Sequence, residues 1–391
     1  MNQSPLKLLH VSPWVRTIGG VETLLAHHAR EDPGHGFEAW QMALFDKTAV
    51  RPSEHYSTQA FSWKSTPHTM RRVMARTLAD HAGSVVVWHN AWGVPWFADV
   101  DASTRRIICL QDSVTHFGSL LPGLTGMVDG VTCLSESAAR SVLDQWPGFP
   151  RERLAVMPLP IAPPAELSAV RALRREWIIG CAGRLVRAQK RWDRLVPFVK
   201  ELRRLGLPCR LEVVGDGPLR QWLKWRLRHD SAIQFLGWQN PADYWRRLQT
   251  WDVSVSFTDH EGGPIVLLET MAAGVIPLYP AIGGSLGDDY AAQVDPRCYY
   301  PAGDPRAAAR SLRELLASPP EQIARMRQRA QELAQPHATP GTYTTAFAGF
   351  IRRIAALPRV SSVPDGRRRP QVTDLLPLGL LTRALPGALR R

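Results

Sequence analysis

Short apolar runs alternate with longer amphipathic stretches along most of the chain. The segments from Leu6 to Ser12 (LKLLHVS), Glu38 to Phe45, Ser84 to Asn90 (SVVVWHN), Arg106 to Asp112 (RIICLQD) and Gly130 to Ser137 are short and bounded by turn formers, as buried strands are. Val21 to Arg30 and Met70 to His81 carry helical spacing between them. Strands that alternate with helices predict a parallel sheet covered on both faces.

The Pro-rich stretch from Met157 to Leu167 (MPLPIAPPAEL) lacks amide donors and reads as an interdomain linker. The alternation then restarts. Strands are predicted at Trp177–Gly183, Arg210–Gly217, Ile233–Trp238, Asp252–Thr258 and Val275–Ala281. Helices are predicted at Arg191–Leu205, Leu219–Arg228, Pro241–Thr250, Pro264–Gly274, Arg306–Leu316 and Glu321–Leu333, and Tyr343–Leu357 is one more amphipathic helix. Beyond Pro358 every apolar run is broken by Pro, Gly or Arg. The expected division is a Rossmann-like domain over residues 1–160, a second over 161–342, a helix over 343–357 that crosses back to the first, and a basic Pro/Arg-rich tail over 358–391.

The chain has 391 residues, 45% hydrophobic and 21% charged, which suits a globular protein of two ordinary domains. No secretory signal and no apolar run of membrane-spanning length is visible, so a cytoplasmic location is expected. Five cysteines, widely spaced and without a C-x-x-C, read as reduced core residues. The formal charge is +13, but residues 352–391 hold nine arginines against two aspartates, so +7 of the excess lies in the tail. That distribution weakens a nucleic-acid reading and makes the tail a candidate contact for an anionic membrane surface.

The candidate chemistry lies mostly in the second half. WIIGCAGRLVRAQKRWDRL ends a strand in glycines and then supplies Arg184 and Lys190 close to a helix start, an arrangement suited to a pyrophosphate, although two solvated cations are as consistent with the motif alone. VVGDGPL places Gly215 and Gly217 between strand and helix. Arg220 stands where a dinucleotide fingerprint would have its third glycine, which argues against a nicotinamide or flavin enzyme. EGGPIVLLE spaces Glu261 and Glu269 eight positions apart around Gly262, Gly263 and Pro264. Glu269 falls near the buried face of a helix and requires a partner, either a ribose diol or an arginine. AIGGSLGD supplies Gly283 and Gly284 for a close backbone approach.

Taken in order, Gly-Arg…Lys, VVGDGP, E-x7-E, MAAGVIPLYPAIGG and YPAGDPRAAARSLRELL resemble glycosyltransferase family 4 of the GT-B fold. VSPWVRTIGGVETLLAHHA, with Gly19 and Gly20, is similar to that family's first glycine-rich loop. The resemblance spans roughly residues 6–357. It implies an α/β architecture of two Rossmann-like domains whose parallel sheets face a central cleft. It further implies a retaining, nucleotide-sugar-dependent hexosyltransferase that needs no cofactor and no metal, with a glycan or lipid-linked acceptor and a role in cell-envelope or polysaccharide biosynthesis. By the same resemblance Arg184 and Lys190 neutralise the donor diphosphate, Glu261 contacts the sugar near its anomeric carbon, Glu269 binds the ribose and the Gly20 loop closes over the phosphates. Gln111 stands where the family often has a histidine. With His116 and His89 it makes up the candidate sugar or acceptor side, although His89, ending the strand in VVVWHN, reads equally as a structural hydrogen-bonding histidine.

Two rival readings remain. Gly283-Gly284-Ser285-Leu286-Gly287 fits the G-x-S-x-G elbow of a serine hydrolase, with His337 downstream, but GDDYAAQVDP reads as a poor helix. Gln111 favours a non-catalytic or altered GT-B protein, such as a nucleotide-sugar-binding subunit, an epimerase or a phosphorylase.

Overall fold

The computed structural model of the protein describes residues 5–15, 20–46, 55–90, 94–97, 100, 103–111, 121–165, 176–360, 375–378 and 380. The chain divides into two compact units. Met1–Leu134, Ala139–Met157 and Tyr343–Arg391 form the first, and Ser135–Ala138 with Pro158–Thr342 form the second.

The first unit holds β1 (Leu6–Ser12), α1 (Gly20–Glu31), β2 (Phe37–Ala43), β3 (Tyr56–Thr58), α2 (Pro67–Asp80), β4 (Val85–His89), α3 (Val94–Phe97), β5 (Arg105–Cys109), β6 (Gly130–Cys133), α4 (Glu136–Gln145) from Ala139 onward, and β7 (Leu154–Val156). Its strands form one parallel sheet in the order β3-β2-β1-β4-β5-β6-β7. Leu8, Leu9, Val86, Val87, Ile107 and Ile108 are fully buried, as central strands covered on both faces must be.

The second unit restarts with β8 (Trp177–Ala182), α5 (Leu195–Arg204), β9 (Cys209–Val214), α6 (Arg220–Arg226), β10 (Ile233–Gly237), α7 (Pro241–Leu248), β11 (Val253–Val255), α8 (Ile265–Ala272), β12 (Ile276–Ala281), α9 (Leu286–Val294), β13 (Tyr299–Pro301), α10 (Pro305–Leu316) and α11 (Pro320–Ala338). The order is β10-β9-β8-β11-β12-β13, again parallel. The last helix, α12 (Thr342–Ala356), belongs to the first unit. There a Cβ on Gly130 would come within 3.0 Å of Phe350 and 3.1 Å of Ile354, so the glycine permits the helix to approach β6. Among the described residues no helix is long and apolar enough to cross a membrane.

Several elements depart from the sequence expectations. The strands β3, β7 and β13 have three residues each, too few for a periodic signal. GDDYAAQVDP, expected to be a poor helix, contributes most of α9. A capping box supports it, with Ser285 accepting from Gly287 N and Asp288 accepting from Ser285 N. The strand expected over Val275–Ala281 is present as β12 and runs through Pro277 and Pro280. Ile276 N bonds back to Asp252, so even-numbered positions face β11 and odd-numbered ones face β13. Pro277 thus turns its missing N–H toward β13, whose pairing begins only at Tyr279, and Pro280 faces β11, whose pairing ends at Leu278. Each proline sits where no ladder bond is required.

Candidate donor site and a buried histidine chain

The loops after β8 and β9 lock onto each other. Gly183 N donates to Val214 O at 3.0 Å, Leu185 N to Asp216 O at 2.8 Å and Leu219 N to Leu185 O at 3.0 Å. A Cβ on Gly215 (φ 125°) would lie 2.0 Å from Gly183 O, and one on Gly217 (φ 154°) would lie 2.7 Å from Leu185 O. These glycines are therefore required by the chain's own close approach. Gly180 plays a similar part inside β8, where a Cβ would fall 1.8 Å from the buried indole of Trp251.

Lys190 is set by its neighbours. Arg191 is a non-glycine residue at φ 49°, a left-handed conformation that costs about 1–2 kcal/mol. Ion pairs to Asp193 at 3.2 Å and Asp259 at 2.6 Å hold it there. Thr258 Oγ1 and Asp259 N both donate to Gln189 O, and Gln189 Nε2 donates to His260 O. The segment before Glu261 is thus stitched to the segment before Lys190, and Lys190 Nζ donates to Glu261 Oε1. Glu261 is 6% exposed. The pair lines a cavity of about 40 Å³ together with Ser254, Pro264, Leu267 and Tyr279.

That cavity lies at the carboxyl ends of β8, β11 and β12 and at the start of α8. The strand order reverses between β8 and β11, the place where open parallel sheets bind ligands. A diphosphate there would compete with Glu261 for Lys190 and gain the positive end of α8. Arg184 is exposed and its side chain has no polar partner among the described residues. Gly262 and Gly263 carry the chain from Glu261 to Pro264, which stands at the N-cap of α8 and not within its first turn.

Glu269, half-buried on α8, finds a partner that was not anticipated. Tyr244 OH of α7 donates to its Oε2 at 2.9 Å. Burial pushes the Glu269 carboxyl up to about 7, against the downward pull of that hydrogen bond. Gly283 and Gly284 adopt φ 77° and 72°, but the amides of Ile282, Gly283 and Ser285 are already bonded to Asp288 at 3.1, 3.1 and 2.8 Å. An anion approaching this loop would have to displace a carboxylate of the protein. The serine-hydrolase elbow fails here. Ser285 is fully buried as the α9 cap beside Tyr279 OH, while His337 bonds to Leu159 O and Tyr290 OH.

In the first unit Gly20 opens α1, whereas Gly19 and His116 lie outside the described residues. His89 does not face a ligand, because it is fully buried with both ring nitrogens bonded. It belongs to a chain that the sequence reading missed. Gln111 Nε2 donates to His89 Nδ1 at 2.8 Å, His89 Nε2 to His10 Nδ1 at 3.0 Å and His10 Nε2 to Asp32 Oδ2 at 2.9 Å. From the other side Tyr343 OH donates to His28 Nε2 at 2.8 Å, and His28 Nδ1 to Asp32 Oδ1 at 3.0 Å. One set of neutral tautomers satisfies every link, with a single carboxylate as the terminus of both arms. Burial pushes His28 down to about 4 and His89 well below its ordinary value. Burial alone would raise the Asp32 carboxyl, but hydrogen bonds from His10 and His28 hold it well below the usual range. His10, His28 and Asp32 have the composition of a metal site, yet their ring N–H groups already point at the carboxylate. The chain also fixes the Gln111 amide. Its nitrogen is committed to His89, and its enclosed Oε1 has no protein partner among the described residues. The signal for this chain was present as the i, i+4 pair His28 and Asp32 and a histidine within the apolar β1 run.

Two Rossmann-like units with parallel sheets place the chain in the GT-B fold, as the solved structures it resembles show. Within it, residues 176–318 match the family model described as Glycosyl transferases group 1. Anabaena HepE in complex with UDP-glucose aligns over 90% of this chain and 100% of its own, at 14% identity and TM-score 0.65. The lipopolysaccharide outer core galactosyltransferase WaaB aligns over 89% and 99%, at 14% identity and TM-score 0.67. Sucrose-phosphate synthase from Thermosynechococcus elongatus aligns over 89% and 99%, at 15% identity and TM-score 0.68. The chain spans only 58% of the length of TarM, at 12% identity, TM-score 0.57 and 72% of this chain. No curated protein sequence matches the chain.

Proposed function

We propose that the protein is a glycosyltransferase that moves a hexose from a nucleotide-diphosphate donor to a glycan or lipid-linked acceptor, with retention of anomeric configuration. The observation that carries this reading is the Lys190–Glu261 pair. It faces a cavity at the strand-order reversal of the second sheet, with Glu269 in α8, the helix that follows Glu261. The match of residues 176–318 to a glycosyl transferase family model, and the UDP-glucose bound to HepE, support it. Lys190 and Arg184 would stabilise charge that grows on the departing diphosphate. Glu261, released from Lys190, would accept sugar hydroxyls and face the electron-poor anomeric carbon. Glu269 would accept the ribose hydroxyls. No metal or other cofactor is needed in this scheme, since fixed cations and a helix N-terminus meet the diphosphate charge.

The acceptor reading includes cell-envelope or polysaccharide assembly at the inner membrane surface, with the basic tail as the contact. Gln111 keeps the alternative of a non-transferring GT-B protein in view. An amide held by His89 offers neither acid nor base, so the first unit contributes no proton transfer at that position. The direct test is a thermal-shift screen with UDP, GDP, ADP and dTDP on wild-type protein and Lys190→Ala. Selective stabilisation of the wild type by one nucleotide, reduced in Lys190→Ala, is expected. Stabilisation by none of the four would sink the nucleotide reading.

A further inference from the structure

Glu269 and Tyr244 are the least expected pair in the second unit. Glu269 has no cationic partner among the described residues. The neighbouring cations are engaged elsewhere: Lys190 with Glu261, Arg247 of α7 with Glu212, and Arg327 of α11 with Asp252. Gln331 of α11, the helix packed on α8, bonds to Ala272 O. The one group acting on the carboxylate is the Tyr244 phenol, which takes Oε2 and leaves Oε1 without a partner among the described residues. Burial, with Glu269 adding to it, raises the phenol well above its ordinary value, so it remains a donor throughout the neutral range. Ile265 and Glu269, one helical turn apart, lie on the partly accessible side of α8, while Leu267, Leu268 and Met271 point into the core.

We propose that Tyr244 is a positioning residue for the nucleoside end of the donor: it holds Glu269 by one oxygen and so presents the other to the vicinal hydroxyls of the bound ribose. The proposal rests on the nucleotide reading above. An ionised carboxylate accepts hydroxyls with both oxygens, whereas a protonated one presents a competing donor. A carboxyl that titrates near 7 is about one-tenth ionised at pH 6 and about nine-tenths at pH 8. Ribose binding through Glu269 should therefore strengthen about tenfold over that interval. Removing the phenol removes a bond that favours the charged form, so the midpoint should move to higher pH.

The experiment is calorimetric titration of the tightest binder among the ribonucleotides UDP, GDP and ADP, from pH 6 to 9, with wild type, Tyr244→Phe and Glu269→Gln. The 2′,3′-dideoxy form of the same nucleotide serves as a second ligand. Expected for the wild type is an affinity that rises about tenfold from pH 6 to 8. For Tyr244→Phe the affinity should be several-fold weaker at pH 7 and recover by pH 9. Glu269→Gln and the dideoxy ligand should both give flat profiles. A merely structural tyrosine would lower the melting temperature and leave the midpoint where it is. An unchanged midpoint in Tyr244→Phe overturns the proposal alone. A flat wild-type profile overturns it without any variant, which covers the case in which Tyr244→Phe does not fold. Binding of dTDP alone overturns this proposal and leaves the nucleotide reading, whereas binding of none of the four nucleotides overturns both.

Discussion

Asp32 is the most consequential single carboxylate of the first unit, and its removal has a calculable effect. Asp32→Ala leaves His10 Nε2–H and His28 Nδ1–H buried without an acceptor. Each orphaned group costs about 1–3 kcal/mol, so the expected loss is about 4 kcal/mol. For a unit of this size that lowers the melting temperature by about 8–16 °C. Asp32→Asn should cost less, about 1–2 kcal/mol, because its oxygen still serves one ring. The second ring can exchange tautomers most easily at His28, where the Tyr343 hydroxyl can accept instead of donate. The chain also sets an acid dependence. The folded His28 titrates near 4 and an unfolded one near 6.5. The unfolded chain therefore takes up the proton first, and stability present above pH 6.5 is lost as the pH falls toward 4, by about 3 kcal/mol in all. Asp32, held low, adds a loss only at still lower pH. Melting followed by near-ultraviolet circular dichroism at pH 7.5 and pH 5 measures both effects. An Asp32→Ala protein within 1 kcal/mol of wild type, or one more stable than Asp32→Asn, would refute the reasoning.

Gly180→Ala should destabilise the second unit by about 1–3 kcal/mol or more, since the new methyl meets the Trp251 indole inside the core; urea unfolding checks it. Activity should survive EDTA, and complete loss with rescue by manganese or magnesium would contradict the cation-only account of the diphosphate site. A chain truncated after Leu357 should lose partition onto anionic vesicles in co-sedimentation, each basic residue near the surface contributing about 1 kcal/mol; equal partition of the full and truncated chains would remove the tail from the account.

The parallel sheets were legible because buried parallel strands write continuous apolar runs: VVVW in β4 and WIIGCA in β8 needed no tertiary information. The prolines of β12 and the capping box of α9 were not legible in the same way. The first depends on where neighbouring strands begin and end, and the second on a loop geometry that a composition reading scores as poor helix. The sequence pointed to Lys190 and Glu261, and the structure brings them together. It could not show that Arg191 and Asp259 enforce the meeting, because that pairing spans 68 positions. Gly215 and Gly217 were visible as glycines, but what presses on them is the neighbouring loop. Most of the histidine chain was hidden for a related reason. Apart from the i, i+4 pair His28 and Asp32, its members come from separate elements: β1, β4, the second residue after β5, and α12.

In the proposed reaction Lys190 and Glu261 act on the reacting centre while Glu269 acts on a part of the donor that does not react. Steady-state kinetics of Lys190→Ala, Glu261→Ala and Glu269→Ala with the donor that the nucleotide screen selects measures this division directly. Lys190→Ala and Glu261→Ala should lower kcat on the order of 10²-fold or more, as for other preorganised charge partners. Glu269→Ala should chiefly raise the donor KM. Near wild-type kcat in both Lys190→Ala and Glu261→Ala, with folding intact, would contradict this division and leave the pair as an ion bridge that only braces the loop before α8.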